Sequence, residues 1–388
     1  MRELALQDRL QTDTVLRKVV GQSLMEGKAV AVWRMPDTKA IELIACEQPQ
    51  SLIELALEEL PSGFLVGPFD TSRTKLFIPS EFHLRIENDT VQVIRTPAEF
   101  NIPQLPLRPC QWHIQKKSAS KETPAPAFAD MVKQGVHAIE VGRLEKVVPS
   151  RVKDIVLDAQ FDLLQLFHSL ADQYPHALVS LVSSPQTGTW LGATPELLVA
   201  QNNNGMFATV ALAGTQPFVA GTDLKKISWT QKDIEEQAFV SRYIINCFKK
   251  IRLREYEEHG PRTYRAGNLL HLKTDYIVDT RATHFPQLAS VMLKLLHPTS
   301  AVCGMPLEPA LAFLRAHEAH DRELYTGFLG PVDVQGSTQL FVNLRCMQWF
   351  GNGARLYAGA GVTADSDPAA EWNETEMKMN TILKAIQH

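Results

Sequence analysis

The residues best equipped for chemistry lie near the end of the chain. In AGAGVTADSDPAAEWNETEMKM, Glu371, Glu374 and Lys378 follow one another at i, i+3 and i+7. On a helix this spacing puts two carboxylates and an ammonium on one face. A glycine-rich turn precedes Asp367, a good N-cap, and Pro368, which suits a first helical position. Two convergent carboxylates suit a hard cation such as Mg²⁺, which takes few protein oxygens and keeps positions for water and an anionic substrate. On spacing alone the blander reading is stronger: a solvated face with Glu374–Lys378 pairing, about 0.2–0.5 kcal/mol.

A second acidic candidate lies in KDIEEQAFVSRYIINCFKKI. By helical period Glu236 shares a face with Val240, Tyr243 and Cys247, whereas Glu235 falls with Phe239, Arg242 and Asn246. A carboxylate on an apolar face is costly without a compensating charge, so Glu236 points to a cation, with a helix-edge glutamate as the alternative. Lys146 in LEKVVPSR and Glu196 in WLGATPELLVA lie in or beside apolar, strand-like sequence. A desolvated lysine can serve as a base and a shielded glutamate as an acid, and either residue could equally mark a strand end. His317 and His320 in HEAHD are three apart, not the four of a zinc-binding HExxH helix. No GxGxxG, GxxxxGK[ST] or GxSxG motif occurs, so dinucleotide, phosphate-loop and acyl-enzyme chemistry lack support.

The elements that must position these residues alternate along the chain. Residues 28–46 around Met35-Pro36-Asp37 and residues 82–95 around Asn88-Asp89 read as β-hairpins, so the first part is sheet-rich. Five prolines and KKSASKE between Pro103 and Pro126 suit an extended connection, with a boundary near residue 115. Beyond it, Phe128–Val141 and Gln160–Tyr174 predict amphipathic helices, each followed by a β-rich run. Further helices are expected from Lys232, over Glu308–His320, and from Pro368 to the C-terminus. Such alternation by itself suggests a parallel sheet.

Composition limits the partners. Of 388 residues, 45% are hydrophobic and 21% charged, with a formal charge of −4 and no long basic run. That favours a small-molecule ligand over nucleic acid or a membrane surface. The N-terminal MRELALQDRLQTD lacks an apolar core, so neither a signal peptide nor a membrane span is visible and a cytoplasmic protein is expected. Five scattered cysteines without a CxxC pair suggest neither a zinc ribbon nor a disulfide framework.

Read in order, EKVVPSR, GATPELLV, ALAGT, KDIEEQ, LLHPTSAVCGMP, DRELYTGFLG, LRCMQ and AGAGVTADSDPAAEWNETEMKM resemble the core shared by the chorismate-utilising enzymes: isochorismate, salicylate, anthranilate and aminodeoxychorismate synthases. The resemblance covers about residues 127 to 385 and within the family is nearest to isochorismate synthases. It implies an α+β fold of two large antiparallel sheets packed face to face with helices outside. Residues 1–115 would form a variable, sheet-rich part of the same fold, and 116–388 the catalytic core. The resemblance also implies Mg²⁺ held by Glu236, Glu371 and Glu374. Lys378, Arg345 and the backbone around Gly214, Thr215, Ala360 and Gly361 would hold substrate carboxylates, with His271 near the ring.

What attacks the ring distinguishes the members. Anthranilate synthases carry glutamine where Lys146 stands, so Lys146 implies water as nucleophile. Aminodeoxychorismate synthases use a lysine in a PIKGT-like segment, whereas here Ala213 occupies that place. The implied reaction has Lys146 activate water for attack at C2 of chorismate while Glu196 protonates the departing C4 hydroxyl. Isochorismate would then feed menaquinone or siderophore synthesis, with no glutamine amidotransferase required and a monomer expected. The alternatives are a salicylate synthase, for which Val302 and Tyr325 are positions of interest, and a catalytically silent chorismate-binding protein. Gln237 replaces a usual histidine, and Cys303 a usual glycine or serine.

Overall fold

The computed structural model describes residues 2–5, 9–88, 90–96, 102, 105–116, 122–158, 160–219, 221–266 and 269–387. The expected turn residue Asp89 and much of the KKSASKE connection lie outside these. Among the described residues there are seven α-helices: α1 (Arg9–Met25), α2 (Ala125–Glu140), α3 (Leu163–Gln173), α4 (Gln231–Lys250), α5 (Leu288–Leu296), α6 (Leu307–His317) and α7 (Pro368–Ile386).

Two large sheets carry the fold. The first runs, edge to edge, Arg2–Ala5, Thr90–Arg95, Phe82–Glu87, Ile41–Cys46, Ala29–Arg34, Leu178–Ser184, Gly188–Thr194, Cys346–Trp349, Gly353–Gly359 and Ser150–Val156. The second runs Glu257–Ala266, Leu269–Asp279, Met206–Pro217, Leu197–Asn202, Ser337–Val342, Phe328–Val332, Gly63–Gly67, Lys75–Pro79 and Gln50–Leu52. The pairings within both are antiparallel, so the parallel sheet suggested by alternation is not found and the architecture implied by the resemblance is. Alternation misled because the strands that follow helices pair antiparallel, some with the next strand in sequence and some with a distant one. Ser150–Val156, for instance, pairs with Gly353–Gly359. Early strands join both sheets: Ala29–Arg34 beside Leu178–Ser184, and Gly63–Gly67 beside Phe328–Val332.

Both faces of the central strands are buried, which sets up a helix–sheet–sheet–helix stack. From Ala29–Arg34, Ala29, Ala31 and Trp33 face the second sheet's Phe64, Val66 and Ile78, while Val30 and Val32 face Leu16 and Val19 of α1 and Phe167 of α3. Leu65 and Phe77 turn the other way, towards Val240 and Ile244 of α4 and Leu293 of α5. This is the period-2 rule applied to strands covered on both sides. α2 and α6 close a smaller cluster with Val147, Cys303 and Val362.

Local signals explain the helix limits. Asp162 accepts from Leu164 N at 3.0 Å and Gln165 N at 3.1 Å, which starts α3 three residues later than the periodicity alone indicates. Thr230 and Asp233 form a reciprocal capping box for α4. α6 ends at His317 rather than His320, because Glu318 is extended and drawn into an ion pair with Arg322 at 2.6 Å. α7 starts as expected, with Asp367 accepting from Ala370 N at 2.8 Å. Buried Arg151 then pins α7 to the first sheet: it stacks 3.7 Å from Trp372, donates to Thr375 Oγ1 at 2.6 Å and bonds Glu376.

Trp190, 2% exposed, lies between the sheets with its ring 5.3 Å from that of Tyr357. Trp190→Ala should lower stability by about 3–5 kcal/mol through lost burial and a residual cavity. A urea titration should show a lower midpoint at unchanged slope; an unaltered midpoint would mean that this layer does not hold the sheets together.

Candidate active site

Of the places where the chain crosses between the sheets, two adjoin, and each of these carries a charged residue. Strand Gly188–Thr194 of the first sheet passes through Pro195 and Glu196 into Leu197–Asn202 of the second. Ser337–Val342 of the second passes through Arg345 into Cys346–Trp349 of the first. The crossings bond to each other: Val342 N donates to the Glu196 carbonyl at 2.9 Å and Ala193 N to the Arg345 carbonyl at 3.1 Å. Arg345 adopts a left-handed backbone with φ of 49°. That conformation disfavours a residue with Cβ by roughly 1–2 kcal/mol, so the surrounding structure imposes it.

Glu196 is 8% exposed. Burial raises its carboxyl to about 7 although Arg345, Lys146 and Lys378 all pull it down, and Glu236 adds to the rise. These five groups therefore lie within electrostatic reach of one another. Lys146 is fully buried on the short strand Lys146–Val147, which pairs with Gly304–Met305. Its Nζ donates to Glu236 Oε1 at 2.8 Å. Burial pushes Glu236 up, but Lys146, Lys378 and Lys232 outweigh it and hold the carboxyl at about 2. Glu235 is exposed and bonds Gln231 Nε2, so the face assignment made from helical period matches the structure.

Glycine permits the close packing around this pair. A Cβ on Gly361 would stand 2.9 Å from Glu236 Oε1 and 3.1 Å from Lys146 Cε. Gly214 has φ of +70°, and a Cβ there would meet Asp233 Cβ at 3.2 Å and the Trp229 ring at 3.3 Å. The Gly214 carbonyl accepts from His271 Nδ1 at 2.8 Å, with Thr215 Oγ1 3.4 Å from the same nitrogen. Burial first, and Arg345 next, lower His271 to about 4. The ring is thus neutral near pH 7 and carries its hydrogen on Nδ1, which makes Nε2, buried and without a partner, an acceptor. Ala360 N donates to the Pro149 carbonyl at 3.2 Å and Val362 N to the Val147 carbonyl at 2.8 Å, so Gly361 sits between two engaged amides.

α7 supplies the remaining groups. Lys378 Nζ donates to the Gly359 carbonyl at 2.8 Å and pairs with Glu374 at 2.6 Å. Glu371, 1% exposed, accepts from Lys232 of α4 at 2.7 Å. Burial and the neighbouring Glu374 raise Glu371 despite that lysine. Among the described residues no three His, Cys, Asp or Glu side chains form a preassembled metal cluster. Glu236, Glu371 and Glu374 are instead each drawn to a lysine. The donor set nevertheless fits a hard divalent cation: three carboxylates from two facing helices, one with a buried, unpartnered oxygen, Glu371 Oε2.

Lys232 was missed by sequence reasoning. Its signal is its position four residues before Glu236, on the same face of α4. The HEAHD residues serve structure: Glu318 binds Arg322 and Ser150, and His320 Nε2 lies 3.0 Å from Ser150 Oγ. Gln237 donates to the Ala211 carbonyl at 3.2 Å and Thr274 Oγ1 at 3.0 Å, fastening α4 to the second sheet beside Glu236. Cys303 is buried beneath α6, and its carbonyl accepts from Val148 N at 2.9 Å.

Residues 83–387 match the sequence profile of the family described as chorismate binding enzyme. The chain belongs to that family. The match extends further towards the N-terminus than the motifs alone indicated. The isochorismate synthase EntC of Escherichia coli is 29% identical over 278 residues, covering 70% of this chain and 69% of EntC. The vibriobactin-specific isochorismate synthase of Vibrio cholerae is 30% identical over 309 residues, covering 75% of this chain and 76% of its own. The structure of MenF, the menaquinone-specific isochorismate synthase of Escherichia coli, superposes with a TM-score of 0.73 over 99% of this chain and 94% of MenF. Its 18% identity carries the fold alone.

An acid with its carboxyl near 7 is protonated below that pH and loses its proton above it. If Glu196 donates a proton in the forward direction, kcat/KM should fall as pH rises through about 7. The isomerisation takes up and releases no net proton, so kcat/KM in the reverse direction should show the same limb, and a profile flat through pH 7 would contradict this assignment.

Proposed function

We propose that the chain is an isochorismate synthase, an isomerase that converts chorismate to isochorismate with Mg²⁺. The observation that carries the reading is the pair Lys146 and Glu196, brought to one site from separate elements, with Ala213 where a covalent lysine would stand. Ala213 is buried against α4 and has no group that could attack a ring. The names of the relatives above point the same way.

In this mechanism Lys146 takes a proton from water, and the oxygen attacks C2 of the ring. The double bond shifts, and the C4 hydroxyl departs with the proton of Glu196. Arg345 and Lys378 hold substrate carboxylates, and His271 Nε2 is free to accept a hydroxyl hydrogen. Glu236, Glu371 and Glu374 would hold Mg²⁺, which supplies positive charge against the ring carboxylate.

The N-terminal residues 1–115 are taken as an integrated part of this unit, with 116–388 as its catalytic core. We place the enzyme in the cytoplasm as a monomer that needs no glutamine amidotransferase. No described helix is long and apolar enough to cross a membrane. Whether isochorismate feeds menaquinone or a siderophore depends on the enzyme that consumes it.

Incubation with chorismate and Mg²⁺, followed by chromatography, should yield isochorismate. Salicylate as the end product would redirect the assignment to a salicylate synthase, and anthranilate or aminodeoxychorismate in ammonium salts would overturn water as nucleophile. Lys146→Ala and Glu196→Gln should each lose about 10²–10⁴-fold in turnover in both directions while still binding chorismate. Near-normal turnover in Lys146→Ala would remove the base from the scheme.

Activity should also vanish with chelator and in Glu236→Gln, whereas Glu235→Gln, on the exposed face, should cost little. Equal losses in the two glutamine variants, or full turnover in chelator, would sink the metal assignment.

A further inference from the structure

Glu236 comes from α4, and Glu371 and Glu374 from α7, so a shared ion requires two helices from distant parts of the chain to be held in register. Lys232 joins them. It lies one turn before Glu236 on α4, and its Nζ donates to Glu371 Oε1 at 2.7 Å. The partners are unlike in exposure: the Lys232 side chain is 41% exposed and that of Glu371 1%. The other carboxylate oxygen, Glu371 Oε2, is buried and has no hydrogen-bond partner. The Ser366 hydroxyl also favours its charge, and the oxygen of that hydroxyl accepts from Thr363 N at 3.1 Å. A buried carboxylate oxygen with so little to accept from is costly unless a ligand supplies a further interaction.

We infer that Lys232 is a positioning residue of the divalent-cation site: it fixes one oxygen of Glu371 so that the other is presented to the ion. The inference rests on the reading of Glu236, Glu371 and Glu374 as the ion's carboxylates. Lys232 reaches beyond one partner, because Glu374 and Glu236 also lie within its electrostatic range. It therefore offsets the repulsion among three carboxylates from the solvent side while leaving most of their oxygens open. Without Lys232, Glu371 would be a buried carboxylate facing Glu374 with no counter-charge, and the favourable course is to rotate away from the ion's position. Supporting partners of this kind typically change metal affinity by about 10–100-fold.

The test is Mn²⁺ binding to the full-length protein without substrate, measured by electron paramagnetic resonance of the free ion, with Mg²⁺ competition. The proteins are wild type, Lys232→Met, Lys232→Arg and Glu374→Gln. Because the Lys232 side chain is 41% exposed and lies outside the apolar clusters, Lys232→Met should fold normally, which circular dichroism checks. The Kd for Mn²⁺ should rise about tenfold or more in Lys232→Met. Lys232→Arg, which keeps charge and reach, should recover most of the loss. If Lys232→Met binds Mn²⁺ as tightly as wild type, or more tightly, while Glu374→Gln binds weakly, the role of Lys232 is overturned and the metal site stands. An arginine variant no better than the methionine variant would likewise overturn it. If wild type binds no Mn²⁺, or Glu374→Gln binds as wild type does, the metal site itself falls and this inference with it.

Discussion

Two strands that leave one sheet and enter the other must pass through the layer between them, and that constraint shapes the site. Where the chain crosses it cannot pair within either sheet, so its backbone groups have to be satisfied across the two crossings. Val342 N to the Glu196 carbonyl, Ala193 N to the Arg345 carbonyl, and Thr194 Oγ1 to the Val342 carbonyl at 2.5 Å do this. The bonds lock the crossings side by side. A carboxylate and a guanidinium are thereby held in the low-dielectric region between the sheets, where neither could settle alone.

Burial and charge then compete at Glu196, and burial wins. Three cations within reach favour the carboxylate, yet the group sits near 7 rather than 4.5. That difference corresponds to roughly 3 kcal/mol in favour of the neutral form. Glu236, half-buried, goes the other way, because Lys146 touches it and Lys378 and Lys232 add to the pull. Direct contact with an ammonium goes with the carboxyl that is held low, and its lack with the one that is held high.

How much of this could be read from the chain depended on whether the deciding signal was local. The start of α7 was legible because Asp367 and Pro368 are local markers, and Glu236 was separable from Glu235 because α4 has one apolar face. α1 and α5 were not anticipated; α5, at nine residues, is too short to show a period clearly. Sheet direction was invisible to periodicity, because strands buried on both faces, such as Ala29–Arg34, give a near-continuous apolar run, and helix–strand alternation says nothing about which sheet a strand joins. Only the conjunction of motifs indicated two antiparallel sheets. Lys146 and Glu196 could be nominated by type, but their environments are made by Gly361, Arg345 and the crossings, which are remote in sequence. Lys232 escaped notice because its partner, Glu371, lies on another helix.

The same remoteness explains why Lys146, Glu196, Glu236 and the pair Glu371 and Glu374 come from four different elements. Lys146 rides on a two-residue strand held by Gly304–Met305, and Arg322 donates to both the Val148 carbonyl at 2.7 Å and the Val302 carbonyl at 2.8 Å, clamping the segments on either side. Glu196 is fixed by a crossing, Glu236 by a helix clasped through Gln237, and Glu371 and Glu374 by a helix pinned through Arg151. Rigid supports of this kind are what hold opposing charges within reach without collapse into simple ion pairs. A lysine that only paired with Glu236 would be a structural cation. What makes Lys146 a candidate base is that the glutamate holding it also faces the groups that can draw that glutamate away.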